Sequence, residues 1–209
     1  MDKQENAGLI ESVKSSIVRA IEGTGDVTGA TVNAVSRTVA RSIEGVGGIA
    51  TSLVHATADV IQGTIQAVMG VGGDLCAAAK GIVVGVLRGA REAGAANLPI
   101  IAQTAEAVIR TTARMSGDLG TATKGLVEGA IQGARELSLD VTQAASAAAS
   151  GALKAAGEVG FEAGARVRNA LTGTIAGVKV VLKEPFNAAA KPRNRTASRR
   201  DLEEQHDPS

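Results

Sequence analysis

The strongest constraint on how this chain folds is that one stretch of it occurs twice. Residues 73–94, GDLCAAAKGIVVGVLRGAREAG, align without gaps to residues 117–138, GDLGTATKGLVEGAIQGARELS, with 12 identities in 22 positions and an offset of 44. A weaker copy begins at Asp140, and residues 25–44 match 117–136 at six positions, the Gly-Asp opening included. Repetition at a fixed period points to a body assembled from like units. Eleven residues complete three turns at about 3.67 residues per turn, so a stripe with this period stays nearly straight along a helix. The spacing therefore predicts an all-α chain of long amphipathic helices with 11/22/44-residue internal repeats, elongated or loosely bundled.

Projected on a helix, the two strong copies give one map. Leu75, Ile82, Val83, Val86 and Leu87 fall on one apolar arc, and Leu119, Leu126, Val127, Ala130 and Ile131 repeat it. Lys80 and Lys124 stand at the border of the arc, where a long stem can lie along apolar matter and lift its ammonium into water. Asp74 and Glu92, then Asp118 and Glu136, stand opposite.

Gly81, Gly85 and Gly89 form GxxxGxxxG, and Gly125, Gly129 and Gly133 repeat it. Each glycine inside a helix costs about 1 kcal/mol relative to alanine. Six in register imply a compensating use, the close approach of another backbone that small-xxx-small faces permit. Gly160/Gly164 and Gly173/Gly177 are shorter versions of the pattern.

Start and stop signals place helices near 7–22, 27–46, 52–71, 75–93, 99–116, 119–138, 141–156 and 158–182. Asp26, Thr51, Asp74, Asn97, Asp118 and Asp140 are the expected N-caps, because a short oxygen side chain accepts from the first free amides of a helix. Whether each Gly-Asp is a turn or a joint within a longer helix stays open. Prolines occur only at 99, 185, 192 and 208, which divides the chain into N-terminal repeats (1–98), C-terminal repeats (99–182) and a disordered charged tail (183–209).

Composition argues against most chemistry. Aromatics make up 1% of the 209 residues, with no Trp or Tyr, and aromatics dominate ordinary ligand pockets and base-stacking surfaces. The net charge of +1 supplies no concentrated basic surface, so no nucleic acid is expected as partner. The basic cluster of the tail is followed by acidic residues that neutralise it. Cys76 is the only cysteine; it lies on the apolar arc and reads as a small buried side chain. His55 stands four residues before Asp59 without a nucleophile beside it, and no GxxxxGK[ST] phosphate loop occurs. The expectation is a non-enzymatic protein with no catalytic residues, no metal, no cofactor and no small-molecule substrate. The mixed-charge N-terminus is unlike a secretory signal, which places the chain in the cytoplasm. The uncharged run 60–73 and the run 81–87 are interrupted by Asp74 and Lys80, short of the apolar stretch a membrane span needs. Attachment at the periphery of a membrane or inclusion is expected instead.

The repeats resemble, in periodicity, the lipid-surface helices of exchangeable apolipoproteins and synucleins; ATKGLV at 122–127 and AAKGIV at 78–83 are the strings nearest the synuclein hexamer. The Ala-rich, aromatic-poor composition is similar to that of phasins, which coat storage granules. The resemblance implies a structural protein whose Val/Ile/Leu stripe coats a hydrophobic surface: membrane, lipid inclusion or polymer granule. The alternative is a self-assembling helical bundle or filament, a homo-oligomer, held by Gly-zipper packing.

Overall fold

The computed structural model describes residues 3–44, 49–92, 94 and 96–180. Among these the chain forms eight α-helices: α1 (Lys3–Thr24), α2 (Val27–Glu44), α3 (Ile49–Gly70), α4 (Leu75–Glu92), α5 (Leu98–Arg114), α6 (Leu119–Glu136), α7 (Val141–Val159) and α8 (Phe161–Leu171). Two short strands, β1 (Thr174–Ile175) and β2 (Val178–Lys179), follow. The fold is all-helical as expected. The charged tail assigned to 183–209 lies outside the described residues.

The largest interfaces join helices two apart in sequence: α2 with α4, α4 with α6, α5 with α7 and α1 with α3. This sorts the chain into an odd layer and an even layer laid back to back. Helices in one layer run parallel, since rising residue numbers in one meet rising numbers in the next: Lys80 pairs with Glu128 and Arg88 with Glu136. The core runs without interruption from Val13 in α1 to Ile175 in β1 and is built of Ala, Val, Ile and Leu. The α3–α5 and α4–α6 contacts bridge the Pro99 boundary.

Reversal between layers is encoded locally. Gly72 (φ 66°), Ser116 (φ 55°) and Ser138 (φ 56°) end α3, α5 and α6 in the left-handed region. The following amide reaches back into the last helical turn: Gly73 N–H to Val68 O at 2.8 Å, Gly117 to Thr112 O at 2.9 Å, Leu139 to Ala134 O at 2.9 Å. These are Schellman closures. The next residue in each case is an aspartate that caps the new helix, Asp74 accepting from Cys76 N, Asp118 from Gly120 N and Asp140 from Gln143 N, each at 2.8 Å. Asp26 accepts from Gly29 N at 2.9 Å and Asn97 from Ile100 N at 3.1 Å. The junctions before Asp26, Asp74, Asp118 and Asp140 are turns between helices, which answers what the sequence left open. Pro99 sits in the first turn of α5, where its missing N–H has no partner to lose.

Two expectations are corrected. Thr51 is an interior residue of α3, not its cap. The helix expected over 158–182 is broken at Gly160 (φ 149°) and ends at Leu171. Beyond it Thr174 pairs with Lys179 and Ile175 with Val178 in an antiparallel hairpin. Ala176 (φ 48°) and Gly177 (φ 82°) occupy its corner, both left-handed as a two-residue hairpin turn requires. The β-branched residues around Gly173 and Gly177 favour strand over helix, so this glycine pair serves a turn.

Candidate functional site

The faces where parallel helices meet hold most of the residues singled out by sequence. In α4, a Cβ on Gly81 would stand 2.7 Å from Thr31 Cβ and 2.9 Å from Thr28 O; on Gly85, 2.8 Å from Val35 Cβ and 3.0 Å from Val32 O; on Gly89, 2.7 Å from Ser36 O. In α6, a Cβ on Gly129 would stand 2.7 Å from Lys80 O, one on Gly125 would run into Cys76 O, and one on Gly133 into Leu87 Cδ1. Five of the six thus stand against a neighbouring backbone carbonyl, leaving no room for a side chain. Only Gly133 meets a flexible side-chain tip.

Two further glycines, outside the candidate set, stand against a backbone carbonyl of another helix. A Cβ on Gly63 would stand 2.8 Å from Ile10 O, and one on Gly151 would run into Ala102 O. Gly151 was legible: it stands eleven residues after its cap Asp140, as Gly85 follows Asp74 and Gly129 follows Asp118. Gly63, alone in the uncharged run 60–73, carried no such marker. Gly160, Gly164, Gly173 and Gly177 have open space around them.

The apolar stripe lies between helices. Ile82, Val83, Val86, Leu87, Leu119, Leu126, Val127, Ala130 and Ile131 are at most 5% exposed, and Leu75 is half-buried against the same core. At its border, Lys80 reaches Glu128 on α6 at 3.9 Å, while Lys124 is exposed.

Ion pairs lace neighbouring helices at a constant spacing of 48, one 44-residue repeat plus one helical turn. Arg88 donates through Nε (2.8 Å) and Nη2 (3.0 Å) to the two oxygens of Glu136. Arg110 donates to Glu158 at 2.6 Å, and Lys154 to Glu106 at 2.9 Å. The hydrogen bonds from Arg88, assisted by Gln132, hold the Glu136 carboxyl below its usual range, and the carboxylate raises Arg88 in return. Apart from Glu106, which is largely buried, these side chains are about a third to a half exposed, so each pair contributes little, about 0–1 kcal/mol. Their use is to fix register along the layer.

At the even layer's first helix the glycine pattern is replaced. Counted from Asp26, the places held in α4 by Gly81, Gly85 and Gly89 hold Asn33, Arg37 and Arg41, all exposed. In α1, Glu11, Ser12 and Ser16 are also exposed. A polar outer face is what ends a stack of repeats. An open groove of about 360 Å³ runs between α1 and α2, lined by Ser12, Val13, Ser16, Ala34, Arg37 and Arg41 among others.

Cys76 is half-buried, and burial, with Glu128 and Asp74 nearby, pushes its thiol up. It is held protonated at neutral pH, the less nucleophilic form. The His55 side chain lies outside the described residues. Among the described residues no group of three or more His, Cys, Asp or Glu is placed to hold a metal ion, and no helix is long and apolar enough to cross a membrane. Among the described residues the large apolar side chains that remain exposed are Val71, Val159 and Phe161, all at the junctions that lead from the odd layer to the even one. Compared with protein-family models, curated proteins and solved structures, the chain has no match in any of the three.

Proposed function

We propose that this chain is a non-enzymatic structural protein, a preformed helical-repeat scaffold whose parallel helices are zipped through their glycine faces. The observation that carries this reading is the burial of nine of the ten stripe residues against neighbouring helices of the same chain. Apolar area is worth about 25 cal/mol per Å² once removed from water. Here that area is already covered within the fold, so coating a lipid or granule surface with the stripe would require separating helices whose backbones are in contact. The internal assembly thus supports the Gly-zipper alternative over the surface coat, and the ion-pair ladder supports a defined register.

The test is circular dichroism and thermal unfolding of the purified full chain, with and without neutral and anionic vesicles. A scaffold is fully helical in buffer, unfolds cooperatively and keeps its spectrum when vesicles are added. A chain that is weakly helical in buffer and gains helix on vesicles, with co-flotation, returns the function to the surface coat and overturns this reading.

A further inference from the structure

The even layer ends on α8 with a feature that the scaffold leaves unused. Phe161, the first residue of α8, is 92% exposed and Val159 beside it is 49% exposed. One other phenylalanine exists in the sequence, so an aromatic ring in water here is a concentrated apolar surface. It stands at the rim of an open groove of about 500 Å³, whose far wall is the α5–α6 turn with Ala113, Ser116, Gly117 and Leu119. The near wall carries Glu162 and Arg166. These two pair only loosely within the helix, at 3.9 Å with side chains 89% and 66% exposed, and are therefore available to re-pair at small cost.

We propose that this end of the scaffold is a homodimer contact in which Phe161 of one copy enters the groove beside α8 of a second copy, and the reverse. Each copy carries both knob and hole, which is the requirement for an isologous two-fold interface. The charges are also self-complementary. Opposite charges one helical turn apart, brought antiparallel across a two-fold axis, place Glu162 of each copy against Arg166 of the other. A lipid surface is the less suitable occupant, because the same edge mixes the exposed carboxylates Asp74, Asp118 and Glu162 with the exposed guanidinium groups of Arg114 and Arg166, a balance that gives an anionic headgroup layer little net attraction. The contact is one short helix and one groove, a small patch of the kind that gives weak, reversible association. This inference rests on the scaffold reading, since it requires α8 to be folded in solution.

Sedimentation equilibrium of the full chain over a wide concentration range tests it. Wild type is expected to show a reversible monomer–dimer equilibrium. Phe161→Ser should weaken it by about tenfold or more, as removal of a central aromatic anchor does. Glu162→Arg alone and Arg166→Glu alone should each weaken it, whereas the double variant, which restores the self-complementary pairing, should recover dimer. Circular dichroism of each variant checks that the helices are retained; loss of helix in wild type would sink the scaffold reading itself. A wild type that stays monomeric up to about 1 mM, the range of marginal affinities, overturns the dimer. So does a Phe161→Ser variant with unchanged association. Vesicle flotation of the monomer that depends on Phe161 would assign the edge to lipid and overturn it equally.

Discussion

The interface between α4 and α6 and that between α3 and α5 join helices two apart in the same chain, yet they are built differently. In the first, Gly125 and Gly129 lie against the backbone of Cys76 and Lys80, and the two helices share one of the largest interfaces in the molecule. The second interface is much smaller, and α5 carries Thr104, Val108 and Thr112 at the places, counted from Asn97, that hold glycine in α4 and α6. All three are buried. Thr104 returns its hydroxyl to Ile100 O at 2.7 Å, whereas Thr112 Oγ1 has no hydrogen-bond partner. Glycine is indispensable where a neighbouring carbonyl stands within reach of its Cα, as at Gly125 and Gly129. Between α3 and α5 the helices are held by ordinary side-chain packing, and α5 avoids the helix-propensity cost of glycine at these three places.

The comparison breaks most visibly at Gly129. Replacing it by valine forces a branched side chain into Lys80 O, and overpacking against backbone should cost about 3 kcal/mol or more, read as a lowered midpoint in urea unfolding. Gly133→Ala, against the mobile tip of Leu87, should be near neutral because the helix gains about 1 kcal/mol of propensity. Equal losses at the two sites would refute the backbone-contact account. On the other side of the comparison, Thr112→Val removes a buried, unpartnered hydroxyl at nearly constant shape. It should stabilise by about 1 kcal/mol, and a destabilised variant would show that the hydroxyl has a partner after all.

The cap at the head of α6 gives an intermediate effect. Asp118→Ala should cost about 1 kcal/mol at neutral pH. The Thr121 hydroxyl, then the Thr121 amide, bond to the Asp118 carboxylate and lower its pKa in the folded chain. A lowered folded pKa means stability that is present above the unfolded pKa and is lost as pH falls through the folded one. The gap between wild type and variant should therefore narrow on acidification below the usual aspartate range; a gap that widens there contradicts the assignment. Smallest is the ladder. Arg88→Met should cost at most about 1 kcal/mol and be sensitive to salt. With Glu136 depressed chiefly by the Arg88 hydrogen bond, its contribution also disappears as pH falls through the folded Glu136 pKa. Stability measured from pH 7 down to about 3 with and without added salt checks both signs.

Helix type and position were legible because their signals are local. A 22-residue unit opened by a short acidic cap needs only its own backbone to start and stop, and Asp74, Asp118 and Asp140 do this with neighbours two or three residues away. The hairpin after Leu171 escaped because Gly173 and Gly177 match a small-residue helix face as well as they match turn corners; only the left-handed backbone at 176 and 177 separates the two. The apolar stripe was visible, but not what covers it, since periodicity gives a direction around one helix and says nothing about the occupant of that side. Phe161 was missed for a different reason: one ring at a helix start has no period, and its exposure depends on which helices pack beside α8.

The sequence by itself therefore determined the all-helical class, the caps Asp26, Asp74, Asn97, Asp118 and Asp140, and the six glycines of α4 and α6, because each cap and each glycine face is a property of residues within a few turns of one another. The tertiary structure alone decided that the Val/Ile/Leu stripe is covered by parallel neighbours of the same chain, that Gly63 joins the close contacts, and that Asn33, Arg37, Arg41 and Phe161 are exposed. Those outcomes depend on which two helices come within a side chain's reach, a distance set by packing among all eight helices at once and written in no single one of them.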